Sequence, residues 1–318
     1  NPELINKFHA ITSIKERRYV TDDLTTSDIA YYAGLDAVKS AGIESEALDY
    51  IIVAHNFGDV RAGNKQLDMV PSLAARVKEA LGIENPATIA FDLPFGCAGW
   101  LQGVIHADAF IKSGNGSNVL VIGSELLSRV SDPHDRDSML YADGAGAVVL
   151  EAKKSQKPMG VLTHKSRSDA LTYSQMLYMG PSNKPDKTEE DELYLKMNGH
   201  KLYQYAVEKV PQAIKSCLET IEMSLTDINK LLIHQANGKM DDAILNRLFK
   251  LYNVKQVPEN IMPMTIDWLG NSSVATLPTL LDLLWKGEME AHQISKGDNL
   301  IFASVGAGMN INALVYKM

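Results

Sequence analysis

The sequence predicts an α/β fold made by duplication, and two patterns carry that expectation. Apolar, β-rich runs alternate with helical patterns along the chain, and the order of these units recurs in the second half. Length and composition bound the rest. The chain has 318 residues, 45% hydrophobic and 22% charged, which is a globular rather than a disordered balance. At that size it can bury roughly 75% of the surface its unfolded form exposes, so its core needs no disulfide or metal.

The elements follow in order. YIIV (50–53) reads as a strand, and SLAARVKEALG (72–82) as a helix after a loop. The strand ATIAFD (87–92) leads through the turn LPFG (93–96) to a helix opening near Cys97, whose buried face is Leu101, Val104 and Ile105. NVLVIGS (118–124) is the next strand. PSNKPDKTEEDE, from Pro181, reads as a solvated loop without a site. Then come the strand KLLIH (230–234), the helix DDAILNRLFKLY (241–252) and a turn region, MPMTIDWLGNSS (262–273). The helix VATLPTLLDLLWKG (274–287) and the strand NLIFAS (299–304) close the series.

Three pairs of segments make the repeat. ESEALDYIIVAHNFGD matches SLTDINKLLIHQANGK, SNVLVIGSELL matches GDNLIFASVGAG, and DGAGAVVLEA matches VGAGMNINALVYKM. The expected units are residues 1–150 and 151–318. If the copies pack about a pseudo-twofold axis, their strand C-terminal ends converge, and ligand sites in such sheets lie there. Cys97, His234 and Asn271 fall at those ends and are expected to share one pocket.

Composition excludes several functions. A net charge of −8 argues against nucleic acid or an anionic membrane as the main partner. No apolar run reaches the roughly 18–20 residues of a membrane span, and the first residues show no secretory signal. Two cysteines make neither a disulfide framework nor a Cys-rich zinc site, so no metal is expected and the cytoplasm fits best. Cys97 lies between a strand and a helix, where the helix dipole is expected to lower its pKa, and Ala98 and Gly99 leave it sterically open. Cys217, inside AIKSCLETI, reads as core packing.

At Cys97-Ala98-Gly99, His234-Gln235-Ala236-Asn237 and Gly270-Asn271-Ser272-Ser273 the sequence resembles β-ketoacyl-acyl carrier protein synthase III of the thiolase superfamily. Further collinear matches are Ile14-Lys15-Glu16-Arg17-Arg18, Asp132-Pro133-His134-Asp135-Arg136, Asp143-Gly144-Ala145-Gly146-Ala147 and Gly306-Ala307-Gly308. The resemblance implies a duplicated thiolase-like αβαβα five-layer fold and a homodimer. It implies an acyl primer on Cys97, and His234 and Asn271 bonded to the carbonyl oxygen of a malonyl thioester during decarboxylation. Backbone N–H groups of Cys97 and Ala307 would hold the second oxyanion, with Gly306 and Gly308 letting the backbone approach substrate. Asn237 and Arg136 would contact substrate, Arg136 near the nucleotide end.

The sequence departs from that pattern in three places. The family's first strand is expected ahead of residue 1. Lys7 and Ile11 take the places of a Trp and an Arg that sandwich the coenzyme A adenine in relatives, which weakens the case for coenzyme A as primer donor. Val70 aligns with a residue that reaches the partner subunit's acyl pocket, where a bulky aromatic restricts relatives to short primers. A primer longer than acetyl is therefore expected. No cofactor is implied beyond acyl-coenzyme A or acyl carrier protein thioesters as substrates. An acidic acyl carrier protein needs basic residues at the pocket mouth, and Lys201, Lys239, Arg247 and Lys250 are the candidates. The competing readings are a specialised condensing enzyme or acyltransferase of secondary metabolism, and a non-catalytic partner subunit of a condensing heterodimer. The joint presence of Cys97, His234 and Asn271 argues against the latter. A hydroxymethylglutaryl- or thiolase-type reaction would want an added carboxylate or a second Cys base. Neither Cys217 nor the 54–57 loop offers one.

Overall fold

The computed structural model describes residues 2–185 and 192–318. Two helices come first, α1 (Pro2–Thr12) and α2 (Thr26–Ala41). Asp28 accepts the Thr25 N–H at 2.7 Å, satisfying a donor at the start of α2. β1 (Tyr50–His55) is followed by the small hairpin of β2 (Asp59–Arg61) and β3 (Asn64–Asp68). α3 (Leu73–Ala80), β4 (Ile89–Pro94), α4 (Gly99–Lys112), β5 (Asn118–Leu126) and β6 (Asp143–Glu151) complete the first half.

The second half opens with β7 (Gly160–Ser168), the short α5 (Ala170–Tyr173) and the hairpin of β8 (Leu177–Pro181) and β9 (Leu193–Met197). The segment read as a loop from Pro181 thus starts on the last residue of β8, and its residues 186–191 lie outside the described ones. α6 (Gly199–Thr220), β10 (Lys230–Ile233), α7 (Gly238–Leu251), the short α8 (Ile266–Leu269), α9 (Thr276–Trp285), β11 (Asn299–Gly306) and β12 (Asn310–Lys317) follow.

The strands form two four-stranded sheets, ordered β4-β1-β5-β6 and β10-β11-β12-β7. β1-β5-β6 and β10-β11-β12 repeat one pattern, a parallel pair followed by an antiparallel one. The copies differ at their edges. The place of β4 beside β1 is taken, next to β10, by the Ile261 carbonyl, which accepts the Leu231 N–H at 2.8 Å. β7 pairs with the far side of β12, whereas β6 has no second strand partner among the described residues. β12 is accordingly buried along most of its length and β6 only in part.

Helices cover the sheets in five layers. α2 and α3 pack outside the first sheet, and α6, joined by α7, outside the second. α4 and α9 lie between and touch both sheets. Strand periodicity sorts the core. Ile51 and Val53 of β1, with Leu120 and Ile122 of β5, face the outer helices. Ile52 and Ala54, with Val119 and Val121, face the central layer, where they meet Leu101 and Val104 of α4, Leu277 and Leu280 of α9, and Leu300 and Phe302 of β11. Both faces of the inner strands β1, β5, β11 and β12 are covered, so these strands read as continuous apolar runs instead of alternating ones. Among the described residues no helix is long and apolar enough to cross a membrane.

A buried ion pair fixes the loop after β5. Lys196 Nζ lies 2.5 Å from Asp132 Oδ2, and both side chains are almost wholly covered. Asp132 also accepts from Asn183 N, His134 N and Ser182 Oγ. Burial alone would raise this carboxyl, but Lys196 and those donors outweigh it and hold Asp132 well below the carboxylate range. Replacing Lys196 by Ala strands a buried charge, and the expected loss is about 3–5 kcal/mol in denaturant unfolding. The pair's contribution is present above the ordinary carboxylate value of 3.8 and fades as pH falls through the lower folded value. The gap in stability between wild type and Lys196→Ala should therefore narrow only in strong acid.

Candidate active site

Cys97 sits in a single 3-10 turn, Gly96–Ala98, between β4 and α4. The second half of the chain closes on this turn. Ser304 Oγ donates to the Cys97 carbonyl at 3.0 Å, and Asn312 Nδ2 donates to the Ala98 carbonyl at 3.3 Å. Gly306 completes the contact, since a Cβ there would meet Cys97 N at 2.5 Å. Any side chain at 306 would push the two halves apart.

Cys97 lies ahead of α4 and does not open it, as α4 begins at Gly99. The expected lowering of its pKa is corrected accordingly. The thiol reaches the surface only in part, and desolvation pushes it up to about 11 against the partial offset of a hydrogen bond from Ser273. Cys217 is buried on α6, its Sγ 3.7 Å from the Ala313 carbonyl.

Ser273 joins the three residues singled out in the sequence. Its Oγ donates to Cys97 Sγ at 3.3 Å, and its N–H donates to Asn271 Oδ1 at 2.9 Å. Its carbonyl accepts from Thr276 Oγ1 at 3.2 Å, and that oxygen lies 2.6 Å from His234 Nδ1. Cys97, Asn271 and His234, far apart in the chain, are thus connected through two hydroxyl residues, Ser273 in the turn ahead of α9 and Thr276 at its first position. With Asn271 Oδ1 occupied, its NH₂ is the end still able to donate. The backbone holds Asn271 on both sides: its N–H donates to the Leu140 carbonyl at 3.0 Å, and its carbonyl accepts the Ala142 N–H at 2.9 Å. Gly270 precedes it at φ 74°, a left-handed conformation that disfavours a side chain, and a Cβ there would meet Ala142 Cβ at 3.0 Å. His234 follows β10, anchored by its N–H to the Ala303 carbonyl at 2.9 Å. Burial lowers its pKa to about 4, so the imidazole is neutral at physiological pH.

A carboxyl also stands in this region, supplied by β5 and not by the 54–57 loop, which has none. Glu125, at the buried end of β5, accepts the Asn56 backbone N–H at 3.0 Å and a second bond from Asn56 Nδ2. Asn56 Nδ2 in turn donates to Ser273 Oγ at 3.0 Å. Burial first, with the charge of Asp143, pushes Glu125 up to about 8 against its bonds from Asn56. Sequence reasoning missed Asn56, Glu125, Ser273 and Thr276. An acidic residue ending the apolar run NVLVIGSEL was the available signal for Glu125.

The remaining candidates are spread more widely. Asn237 caps α7, its side chain accepting from Met240 N at 3.3 Å. Gly308 turns the chain between β11 and β12 at φ 127°. Arg136 is exposed beside Asp137, and Lys7 and Ile11 are exposed on α1. Val70 is 87% exposed, so within one chain it lines no acyl pocket. Lys239, Arg247 and Lys250 are exposed on α7, and Lys201 on α6.

Five layers and two related halves thus meet at a partly buried cysteine held at their junction. The family model for 3-oxoacyl-[acyl-carrier-protein] synthase III matches residues 91–170, and that for its C-terminal part matches 218–318. A β-ketoacyl-[acyl-carrier-protein] synthase III of Staphylococcus saprophyticus is 31% identical over 308 residues, 96% of this chain and 88% of the relative. One from Vibrio parahaemolyticus is 34% identical over 314 residues, 97% and 89% of the two chains. Among solved structures, the Thermus thermophilus synthase III superposes with a TM-score of 0.83 at 30% identity, over 98% of this chain and 90% of that one. The priming β-ketosynthase of the R1128 polyketide pathway has a TM-score of 0.83 at 26% identity, covering 98% and 88%. The chain belongs to the 3-oxoacyl-[acyl-carrier-protein] synthase III family.

The raised thiol has a direct consequence. A thiol near 11 carries about a hundredfold less thiolate at pH 7 than one at the ordinary 9.0. Iodoacetamide should therefore label Cys97 slowly at pH 7 and progressively faster toward pH 10, with Cys217 unlabelled in the peptide map. Fast labelling already at pH 6–7 would contradict the burial argument.

Proposed function

We propose that the chain joins an acyl primer to a malonyl-acyl carrier protein by decarboxylative condensation, giving a β-ketoacyl-acyl carrier protein for fatty acid biosynthesis. The observation that carries this reading is the hydrogen-bonded connection of Cys97, Asn271 and His234 across the junction of the two halves.

In the first half-reaction the Cys97 sulfur attacks the primer thioester. The proton leaves the sulfur as the bond forms and ends on the departing thiol, so the exchange balances without a cofactor. N–H groups of Cys97 and Ala307 are assigned to the tetrahedral oxyanion, a reading supported by the close approach of Gly306 to Cys97 N. In the second half-reaction the malonyl C–C bond breaks. CO₂ departs and its electron pair stays on the thioester as an enolate. Donors on the enolate oxygen lower that barrier, and the roles fall to the Asn271 NH₂ and His234 Nε2. For His234 the donor form requires the Thr276 hydroxyl to turn its single proton from the Ser273 carbonyl to the nearer Nδ1, leaving the N–H on Nε2. The enolate carbon then attacks the acyl-Cys97 carbonyl, and collapse expels the Cys97 sulfur with product formed.

Exposed Val70 supports a homodimer in which it enters the partner's acyl pocket and leaves room for a primer longer than acetyl. Each additional buried methylene would contribute roughly 0.8 kcal/mol. Arg136 and Asn237 are assigned to the substrate channel. Lys201, Lys239, Arg247 and Lys250, on adjoining helices, form the basic face for an acidic carrier. The expected site of action is the cytoplasm.

Intact mass after mixing with acyl thioesters of graded length should show one covalent adduct on wild type and none on Cys97→Ala. Longer primers should outcompete acetyl, and an acetyl preference by a wide margin would sink the Val70 argument. His234→Ala and Asn271→Ala should still acylate, yet release β-ketoacyl product at least about 100-fold more slowly on addition of malonyl-acyl carrier protein. Adducts that never turn over in wild type would mean an acyltransferase instead.

A further inference from the structure

Glu125 is 1% exposed, and its Oε1 has no hydrogen-bond partner among the described residues. Such a group is costly to keep unless it acts on something. Its other oxygen, Oε2, faces two donors from one residue, the backbone N–H and the side-chain Nδ2 of Asn56. The same Nδ2 lies 3.0 Å from Ser273 Oγ, which lies 3.3 Å from Cys97 Sγ.

Counting protons gives this chain a direction. An amide NH₂ has two hydrogens and accepts none. Asn56 therefore spends one hydrogen on Glu125 and the other on Ser273 Oγ. The Ser273 oxygen is then an acceptor toward Asn56, and its single proton is free for the Cys97 sulfur. The arrangement depends on an ionised carboxylate. If Glu125 carries the proton, it can donate to Asn56 Oδ1, and the amide is free to turn over. Ser273 would then donate to that Oδ1 and away from the sulfur.

We propose that Glu125 and Asn56 are positioning residues that orient the Ser273 hydroxyl as a hydrogen-bond donor to the Cys97 sulfur. The proposal deepens the function given above and rests on Cys97 as its nucleophile. The bond to Ser273 outweighs the repulsion between the Glu125 carboxylate and a Cys97 thiolate, so ionised Glu125 favours the reactive sulfur. Asp143 on β6 and Cys97 are the titratable groups that act on Glu125 or feel its charge, and both remain in the variants below.

The test is the rate of Cys97 alkylation by iodoacetamide from pH 6 to 10, which needs neither substrate nor condensation. In wild type a step centred near pH 8, where Glu125 ionises, should lie on top of the rise from the thiol itself. Ser273→Ala should lose the step and react about tenfold more slowly above pH 8. Its backbone N–H bond to Asn271 needs no side chain, so the loop should keep its fold, checked by thermal unfolding. Glu125→Gln, nearly isosteric, should lose the step while still alkylating. Wild-type rates in Ser273→Ala, or an unchanged step in Glu125→Gln, would overturn the proposal. Failure of the condensing function would appear separately, as absence of an acyl adduct while the alkylation profile keeps its step.

Discussion

The close approach of β11 to the Cys97 turn is the constraint on which the rest of the molecule depends. Gly306 has no side chain to hold the backbones apart, and Ser304 and Asn312 donate to the carbonyls of Cys97 and Ala98. Those contacts bind the second sheet to the first around Cys97. The central layer of α4 and α9 exists to fill the remaining space, with apolar residues from both sheets meeting on it. The elements that make the core are therefore the ones that aim the chemistry. A change that loosens the junction should harm packing and reactivity together.

Burial at that junction shapes every titratable group in it. Desolvation disfavours the charged form of each: the Cys97 thiol and Glu125 carboxyl rise, and the His234 imidazole falls. The site thus carries little charge near neutral pH, and Glu125 gains its charge only toward pH 8. Fixed donors are most effective in such surroundings, because water does not compete for the oxygen or sulfur they serve. Thr276 and Ser273 have matching tasks here. One hydroxyl contacts the His234 ring, and the other contacts the sulfur. Ser273 stands in the turn just ahead of α9 and Thr276 opens that helix, so one short segment reaches both the sulfur and the imidazole.

Much of this was legible from local pattern. Apolar runs and helical periodicity placed the strands, and the recurrence of three segments foretold the matching β1-β5-β6 and β10-β11-β12 patterns. Cys97, His234 and Asn271 stood out because each is polar or reactive at the end of an apolar element. Ser273 and Thr276 did not, because hydroxyl residues at a helix start are ordinary caps. Glu125 escaped because nothing local says that a buried carboxyl will find Asn56, whose strand lies beside its own. The helix dipole argument for Cys97 gave the wrong direction. A dipole is a local property of the chain, whereas desolvation depends on everything that closes over it.

By itself, the sequence determined the alternation of elements, the duplication and the reactive side chains, because these are written in residues near one another in the chain. Tertiary structure alone decided which hydroxyls and carboxyls reach the sulfur, which end of each amide is free to donate, and how far burial moves each proton. These follow from groups as far apart as Cys97 and Ser273, whose meeting is a property of the packed whole.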